Sequence, residues 1–403
     1  MTHRTGPGAT SAPGLKEFVA LLAMMISLVA VSIDAMLPAL TQIGSDLNVA
    51  DRNDSQLIIG IFFAGLGIGQ LAYGPLSDNI GRKPAIYIGL ALFILGTLIS
   101  LFAANFEMML AGRFLQGLGV AGPRVVAIAL VRDLYVGRAM ARVMSFVMTV
   151  FILVPVLAPA LGQLILLVTG WRVIFVLFLL MALLVTLWFA LRMPETLQPE
   201  NRRPMTLTFL LAACKEVLCH PVAMGYTLVS GLVFGAFMGY LNSAQPILQD
   251  QYALGGQFPL YFGGLAAAIG VSTITNARLV GRFGMRLLSI IALGEITLVS
   301  LIFMAVAVYF SGHPPLWSLM LYLLLVFFSV GLLFGNLSAL AMEPLGHIAG
   351  IGAGLVSSLS TLIALIPGVL IGQLFDGTVM PLVIGYLILM PLALIICIRL
   401  YRH

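Results

Sequence analysis

Apolar residues in this chain gather into twelve long runs, each of about 18 residues or more, and short segments between them carry most of the charge. Runs of that length are too long for the buried helices of a water-soluble core, and a series of them makes the bilayer the solvent of the fold. The pattern predicts helices near 18–41, 56–77, 84–104, 107–131, 139–167, 171–192, 221–249, 258–280, 286–310, 316–342, 347–374 and 379–400. The expected class is an all-α membrane protein. The longest polar interruption lies between residues 192 and 220 and contains Met193-Pro194-Glu195-Thr196 and Arg202-Arg203-Pro204. It divides the chain into a disordered tail (1–17), a six-helix bundle (18–192), a central loop (193–220) and a second six-helix bundle (221–403).

Composition sharpens this picture. Of the 403 residues, 61% are apolar and 9% are charged, against about 25% charged in soluble domains. The net charge of +5 does not point to nucleic acid, because the basic residues sit in the loops and set orientation. Placed with the N-terminus inside, the inward segments hold sixteen Lys and Arg, and the outward loops hold only Arg52 and Arg172. By the positive-inside rule both termini and the central loop are cytoplasmic. Cys214, Cys219 and Cys397 match no metal spacing and are expected as free thiols. Residues 1–14 are rich in Gly, Pro, Ser and Thr, and no cleavage pattern follows the first span.

The two halves carry traces of one repeat. Leu76 and Gly81 recur as Leu279 and Gly284, and Asp34 with Pro38 recurs as Asn242 with Pro246. The site of a duplicated transporter-like bundle falls between its halves. Charges inside the spans are the main functional signal, because each costs about 2.5–3.5 kcal/mol to insert at the bilayer centre. Asp34 lies ~24 Å into the first span and Arg113 lies six residues into the antiparallel fourth, at comparable depth. Desolvation and a nearby cation act in opposite directions on a carboxylate's hold on its proton, so the pair is read as a proton switch or, alternatively, as a structural ion pair. Arg124 follows Arg113 by nearly three turns, with Gln116, Gly117 and Val120 on the face between them. It either faces the cavity or snorkels to the interface. Glu295, in the ninth span, is a second candidate for the proton site. Glu343 and His347 are read at the inner mouth.

Gly74-Pro-Leu-Ser-Asp78-Asn-Ile-Gly81-Arg82-Lys83 resembles the loop signature between the second and third helices of the major facilitator superfamily. Arg113-Phe-Leu-Gln116-Gly117 resembles that family's proton-linked motif in the fourth helix. Asp34-Ala-Met-Leu-Pro38, Val131-Arg132-Asp133 and Ala341-Met-Glu343-Pro-Leu-Gly-His347-Ile-Ala-Gly350 resemble its Bcr/CflA subfamily of drug:proton antiporters. The resemblance covers residues 18–400, departing at Asn79, where a basic residue is usual, and at Ala158-Pro159-Ala-Leu-Gly162-Gln163, which matches the exporters' fifth-helix motif only in part. It implies a two-fold pseudo-symmetric twelve-helix fold in the bacterial inner membrane. It also implies proton-driven export of small amphipathic compounds, with Asp34 and Arg113 at the proton site. Gly74, Asp78, Gly81, Arg82 and Lys83 would form a cytoplasmic gate whose Asp78 latches onto the start of the eleventh helix.

Gln116, Arg124, Tyr240 and Asn242 are expected to line the substrate cavity; Met36, Phe62, Tyr240 and Phe334 either line an apolar pocket or, the commoner role for such residues, serve lipid contact and core packing. Pro155, Pro159 and Gly162 are expected to bend the fifth helix, and Pro367-Gly368 the eleventh. Gly117-Leu-Gly119-Val-Ala-Gly122 matches a dinucleotide fingerprint in letters only; it lies within a span with no strand before it, and close helix packing explains it. With no Walker motif, no metal or catalytic cluster and no nucleic-acid signature, the expected partners are protons, a small drug-like molecule and lipid. No cofactor is expected, and the chain is expected to act as a monomer. Metabolite symport through the same fold is the first alternative; a membrane enzyme or receptor is the second.

Overall fold

The computed structural model describes residues 13–202 and 207–401. Its twelve membrane-length helices are numbered α1 to α12: Leu15–Asp46, Arg52–Ile80, Arg82–Leu101, Phe106–Leu134, Gly137–Val168, Arg172–Arg192, Pro221–Gln251, Gly255–Phe283, Met285–Tyr309, Leu316–Ile348, Gly350–Gln373 and Met380–Tyr401. No strand occurs among the described residues. An even number of spans puts both ends of the described chain on one face, called here the terminus face. Most of the tail expected to be disordered lies outside the described residues, and α1 already begins at Leu15. The central segment is not only loop: Leu207–Cys219 forms a helix of 13 residues. Ala213 and Val217, one turn apart, are buried on one side of it. It is too short to cross a bilayer, and Lys215 and Glu216 interrupt its apolar run, so span-length hydropathy passes over it.

Packing repeats with a period of six helices. In the first half α2 packs on α4, α3 on α4 and α6, and α1 on α4, α5 and α6. Adding six to each number gives the contacts of the second half: α8 on α10, α9 on α10 and α12, and α7 on α10, α11 and α12. The two principal contacts between halves, α2 with α11 and α5 with α8, exchange under the same operation. A duplicated bundle with a pseudo-two-fold axis has this contact list.

The repeat reaches individual residues. Gly81, between α2 and α3, has φ 109° and ψ 159°, and Gly284, between α8 and α9, has φ 74° and ψ 158°. Only glycine adopts that region readily, and another residue there costs about 1–3 kcal/mol. A Cβ at Gly81 would also sit 2.6 Å from a Glu195 carboxylate oxygen, whereas one at Gly284 would meet nothing within 4 Å. Gly81→Ala is therefore expected to lower thermal stability more than Gly284→Ala, by displacing Glu195 as well as straining the backbone. Equal melting shifts for the two purified variants would remove the Glu195 contribution.

Pro38 breaks α1. It has no N–H, and its ring excludes the carbonyl of residue i−4, which is Asp34. The α-helix accordingly stops at Asp34, and a 3₁₀ turn over Leu37–Ala39 leads into Leu40–Asp46. In α7, Pro246 stands four after Asn242, and the helix continues from there as a π turn over Pro246–Gln251. The expected bends in α5 are not breaks: Gly137–Val168 runs as one helix through Pro155 and Pro159. Gly162 serves contact, since a Cβ there would overlap the Ala35 carbonyl at the α1 break. Gly117 serves contact as well; its missing side chain lets α4 lie on the Phe62 carbonyl of α2.

Candidate functional site: the break in α1, the α4 arginines and the two faces

Asp34 is the last residue before the break and is 6% exposed. It makes no ion pair or hydrogen bond among the described residues. Tyr240 of α7, from the other half, lies within electrostatic reach of it, and the Tyr240 hydroxyl is itself without a partner. The carboxylate thus stands at a helix break facing the seam between halves.

The expected pairing of Asp34 with Arg113 is not formed. Arg113 is fully buried and donates to the Ser32 carbonyl of α1 (3.0 Å), the Ile58 carbonyl of α2 (3.3 Å) and the Gln116 side-chain oxygen (2.7 Å). Gln116 in turn donates to Thr97 of α3 (2.8 Å), which donates to the Phe93 carbonyl. Phe62 lies under the guanidinium at 4.5 Å. Arg113 and Gln116 together tie four helices, so Gln116 does not line a cavity, and neither do the fully buried Phe62 and Met36.

Asn242, the α7 counterpart of Asp34, has a fixed partner: its amide donates to the Gly368 carbonyl of α11 at 2.8 Å. It is buried, and its side-chain oxygen has no hydrogen-bond partner among the described residues. A carboxylate cannot make the bond to Gly368, which separates the two halves chemically at an otherwise matched position. Arg124 is half-buried and makes no hydrogen bond or ion pair among the described residues. Glu295 lies beside Ser329 of α10, with one carboxylate oxygen buried and unpartnered. Among the described residues nothing joins it to Asp34 directly. Phe234 and Phe237 of α7 and Phe334 of α10 form an aromatic group, and Phe63 of α2 meets Phe234 edge-on at 5.5 Å. Tyr240 extends the group through Phe327 at 4.7 Å.

On the face opposite the termini the halves are sealed. Arg52 pairs with Asp250 at 2.8 Å. Asn53 donates to the Gln373 and Phe375 carbonyls, and Gln373 donates back to the Asn53 carbonyl. Deeper in, Gln245 donates to Thr41 at 2.6 Å. Beside this seal Tyr252 donates to the Pro314 carbonyl, and burial pushes its phenol up to about 12, so it remains a donor at neutral pH. None of these contacts was read from the sequence, because each joins ordinary loop residues brought together by the fold.

The loop between α2 and α3 on the terminus face is tied to the end of α4 and to the start of the central segment after α6. Arg82 pairs with Asp78 and with Asp133 at the end of α4 (3.0 Å). The backbone N–H groups of Arg82 and Lys83 donate to Glu195, whose carboxylate thereby caps the start of α3. Lys83 donates to the Met193 carbonyl after α6. Asp78 makes no ion pair with α11 among the described residues, so the expected latch is open in this conformation. Gly74 is under no packing demand, since a Cβ there would meet nothing within 4 Å. The second half repeats the corner with Arg286 and Glu343 (3.3 Å), while His347 meets Glu216 of the linking helix at 2.6 Å. Glu343 and His347 thus have named partners at the corner of α10. Cys214, Cys219 and Cys397 are free, as expected.

Comparison with known proteins agrees with this geometry. The chain is similar to YdgK of Bacillus subtilis (strain 168), an uncharacterized MFS-type transporter, at 31% identity over 87% of each chain. It is similar to multidrug resistance protein D of Escherichia coli (strain K12) at 29% identity, covering 85% of this chain and 86% of that one. A bicyclomycin resistance protein homolog of Haemophilus influenzae is 27% identical over 91% of each. These relatives bear out the Bcr/CflA-like resemblance of the sequence motifs. The crystal structure of the human organic anion transporter MFSD10 (TETRAN) shares the fold, with a TM-score of 0.69 at 18% identity over 96% of this chain and all of that one. The model of the Major Facilitator Superfamily matches residues 20–368. With its twelve helices, its six-helix period and relatives along nearly its whole length, the chain belongs to the major facilitator superfamily, a family of transporters and not of enzymes.

Proposed function

We propose that this chain is a proton-coupled antiporter that exports small amphipathic, drug-like compounds by alternating access. The observation that carries the reading is Asp34: a carboxylate unpaired among the described residues, at a proline-made break, facing the seam between two halves that are sealed on the face opposite the termini. Two relatives are named for multidrug and bicyclomycin resistance, which supports the substrate class. The distribution of Lys and Arg argues for a cytoplasmic terminus face, and the bacterial relatives support a bacterial inner membrane. The sealed face is then external, and the conformation is inward-facing. The moving bodies are 18–192 and 221–403, joined by 193–220, and the chain acts alone.

In this reading substrate enters from the cytoplasm and the halves rock about the α2–α11 and α5–α8 contacts. The Arg52–Asp250 and Asn53–Gln373 contacts part, and a proton reaches Asp34 from outside. Asp78, now held by Arg82, becomes available to the N-terminal end of α11 as the cytoplasmic side closes. Glu295 is the reserve candidate for proton exchange. The test is accumulation of a panel of drug-like compounds in everted membrane vesicles with and without an acid-inside gradient. Gradient-dependent accumulation abolished by a protonophore is expected. Loss of compound from acid-inside vesicles, or indifference to the gradient, would overturn antiport.

A further inference from the structure

Four charged side chains lie well inside the spans: Asp34, Arg113, Arg124 and Glu295. Arg113 is satisfied by three acceptors. Glu295 sits between α9 and α10 beside Ser329. Asp34 carries the proposed proton. Arg124 alone has no such role. It has neither counter-ion nor hydrogen bond among the described residues, although it stands ~15 Å along α4 from the helix's terminus-face end. An arginine at that depth is costly to insert and gains nothing from this protein when empty.

Its direction is set by its neighbour. Eleven residues are nearly three turns, so Arg124 shares the face of Arg113, and that face meets α1 and α2. The exposed Ala111 and the half-buried Leu118 and Val125 lie on a different face of α4. The aromatic group of Phe63, Phe234, Phe237 and Phe334 begins somewhat deeper, ~20–25 Å from the same end of α2, α7 and α10. A cation near the entrance with an aromatic wall ~5–10 Å deeper along the helices is complementary to an amphipathic anion that enters body first.

Resting on the export reading for its direction of travel, we propose that Arg124 docks an anionic group of the substrate, a carboxylate, while the apolar body of the molecule packs on the aromatic wall. The guanidinium presents two parallel N–H donors that match a carboxylate, and among the described residues no acidic side chain pairs with them. Arg113 cannot serve, because its donors are spent on Ser32, Ile58 and Gln116. An exported anion and an imported proton both move charge in the direction favoured by an inside-negative potential, so the substrate's charge adds to the driving force.

The experiment compares binding of dansylglycine, an environment-sensitive fluorescent carboxylate, with that of its neutral methyl ester. It uses the purified full-length protein in lipid nanodiscs. The wild type is expected to bind the acid about tenfold or more tightly than the ester, the range of a hydrogen-bonded charge pair. Arg124→Gln is expected to bring the acid-to-ester ratio close to one, and Arg124→Lys, which keeps the charge but loses the fork, to retain a reduced preference. The ratio within each variant corrects for loss of active protein. Equal affinity for acid and ester in the wild type would overturn the proposal and leave Arg124 as a charge that snorkels to the interface. An undiminished preference in Arg124→Gln or Arg124→Lys would overturn it as well. Binding needs no gradient: a clear acid preference without proton-driven accumulation in vesicles would end the export reading and leave the anion site standing.

Discussion

Asp34→Asn is expected to abolish uphill export driven by a pH gradient while substrate binding survives. The side chain ends α1 at the break imposed by Pro38 and has no partner among the described residues, so no ion pair is lost when its charge is removed. Asparagine has nearly the same shape and resembles the protonated acid, and α7 carries an asparagine at the matching position before Pro246. What the variant loses is titration. One proton per cycle contributes about 2.3 kcal/mol per 100 mV of potential and about 1.4 kcal/mol per pH unit, so its loss removes the coupling outright. Exchange down a substrate gradient needs only the conformational change and is expected to continue. Asn242 cannot substitute, being neutral and engaged with Gly368. Glu295→Gln is the control, expected to keep gradient-driven export because that carboxylate lies between α9 and α10. Everted vesicles measured after a pH jump decide the matter. Full uphill transport by Asp34→Asn sinks the assignment, and loss in Glu295→Gln alone transfers it to α9.

The spans were legible because their signal is one of length and polarity, which no tertiary context overrides: the expected α6, 171–192, and the observed Arg172–Arg192 differ by one residue. Two weak repeats were legible for a related reason. Glycine at 81 and 284 and proline at 38 and 246 answer backbone demands that the fold makes twice. Partners were much less legible. The sequence offers one carboxylate and one arginine at similar depth, and pairing them is the simplest reading. The observed acceptors of Arg113 are two main-chain carbonyls and a glutamine, and a carbonyl acceptor leaves no mark in a sequence. The partner of Asn242 was hidden for the same reason, since it is the Gly368 carbonyl. Glu195 was visible only as part of a polar loop, and its role as the cap of α3 depends on where α6 ends. The seal built from Arg52, Asn53, Asp250 and Gln373 joins loops some 200 to 320 residues apart in sequence, a separation at which pattern carries no information.

Arg113→Ala is expected to act on folding before it acts on transport. The guanidinium joins α1, α2 and α4 directly and α3 through Gln116 and Thr97, so its removal leaves the Ser32 and Ile58 carbonyls and the Gln116 side chain without their donor. Interhelical hydrogen bonds in membranes average about 0.6 kcal/mol each when measured pairwise, because separated helices find other partners. The two to α1 and α2 would give about 1 kcal/mol, the third, to Gln116, lying within α4, and acceptors left unpaired in a buried site raise the loss towards about 4 kcal/mol. The stacking on Phe62 is lost as well. Arg113→Lys is expected to recover little, since an ammonium on a flexible stem cannot reach three fixed acceptors in the geometry of a planar fork. Thermal unfolding in detergent is expected to begin at a lower temperature for both variants than for Asp34→Asn. A double-mutant cycle separates the network from the ion pair it replaces. Arg113→Ala with Gln116→Ala is expected to be clearly non-additive, because the two share one bond. Arg113→Ala with Asp34→Asn is expected to add within about 0.5 kcal/mol in this conformation. Strong coupling to Asp34 and none to Gln116 would return Arg113 to the carboxylate and dissolve the four-helix tie.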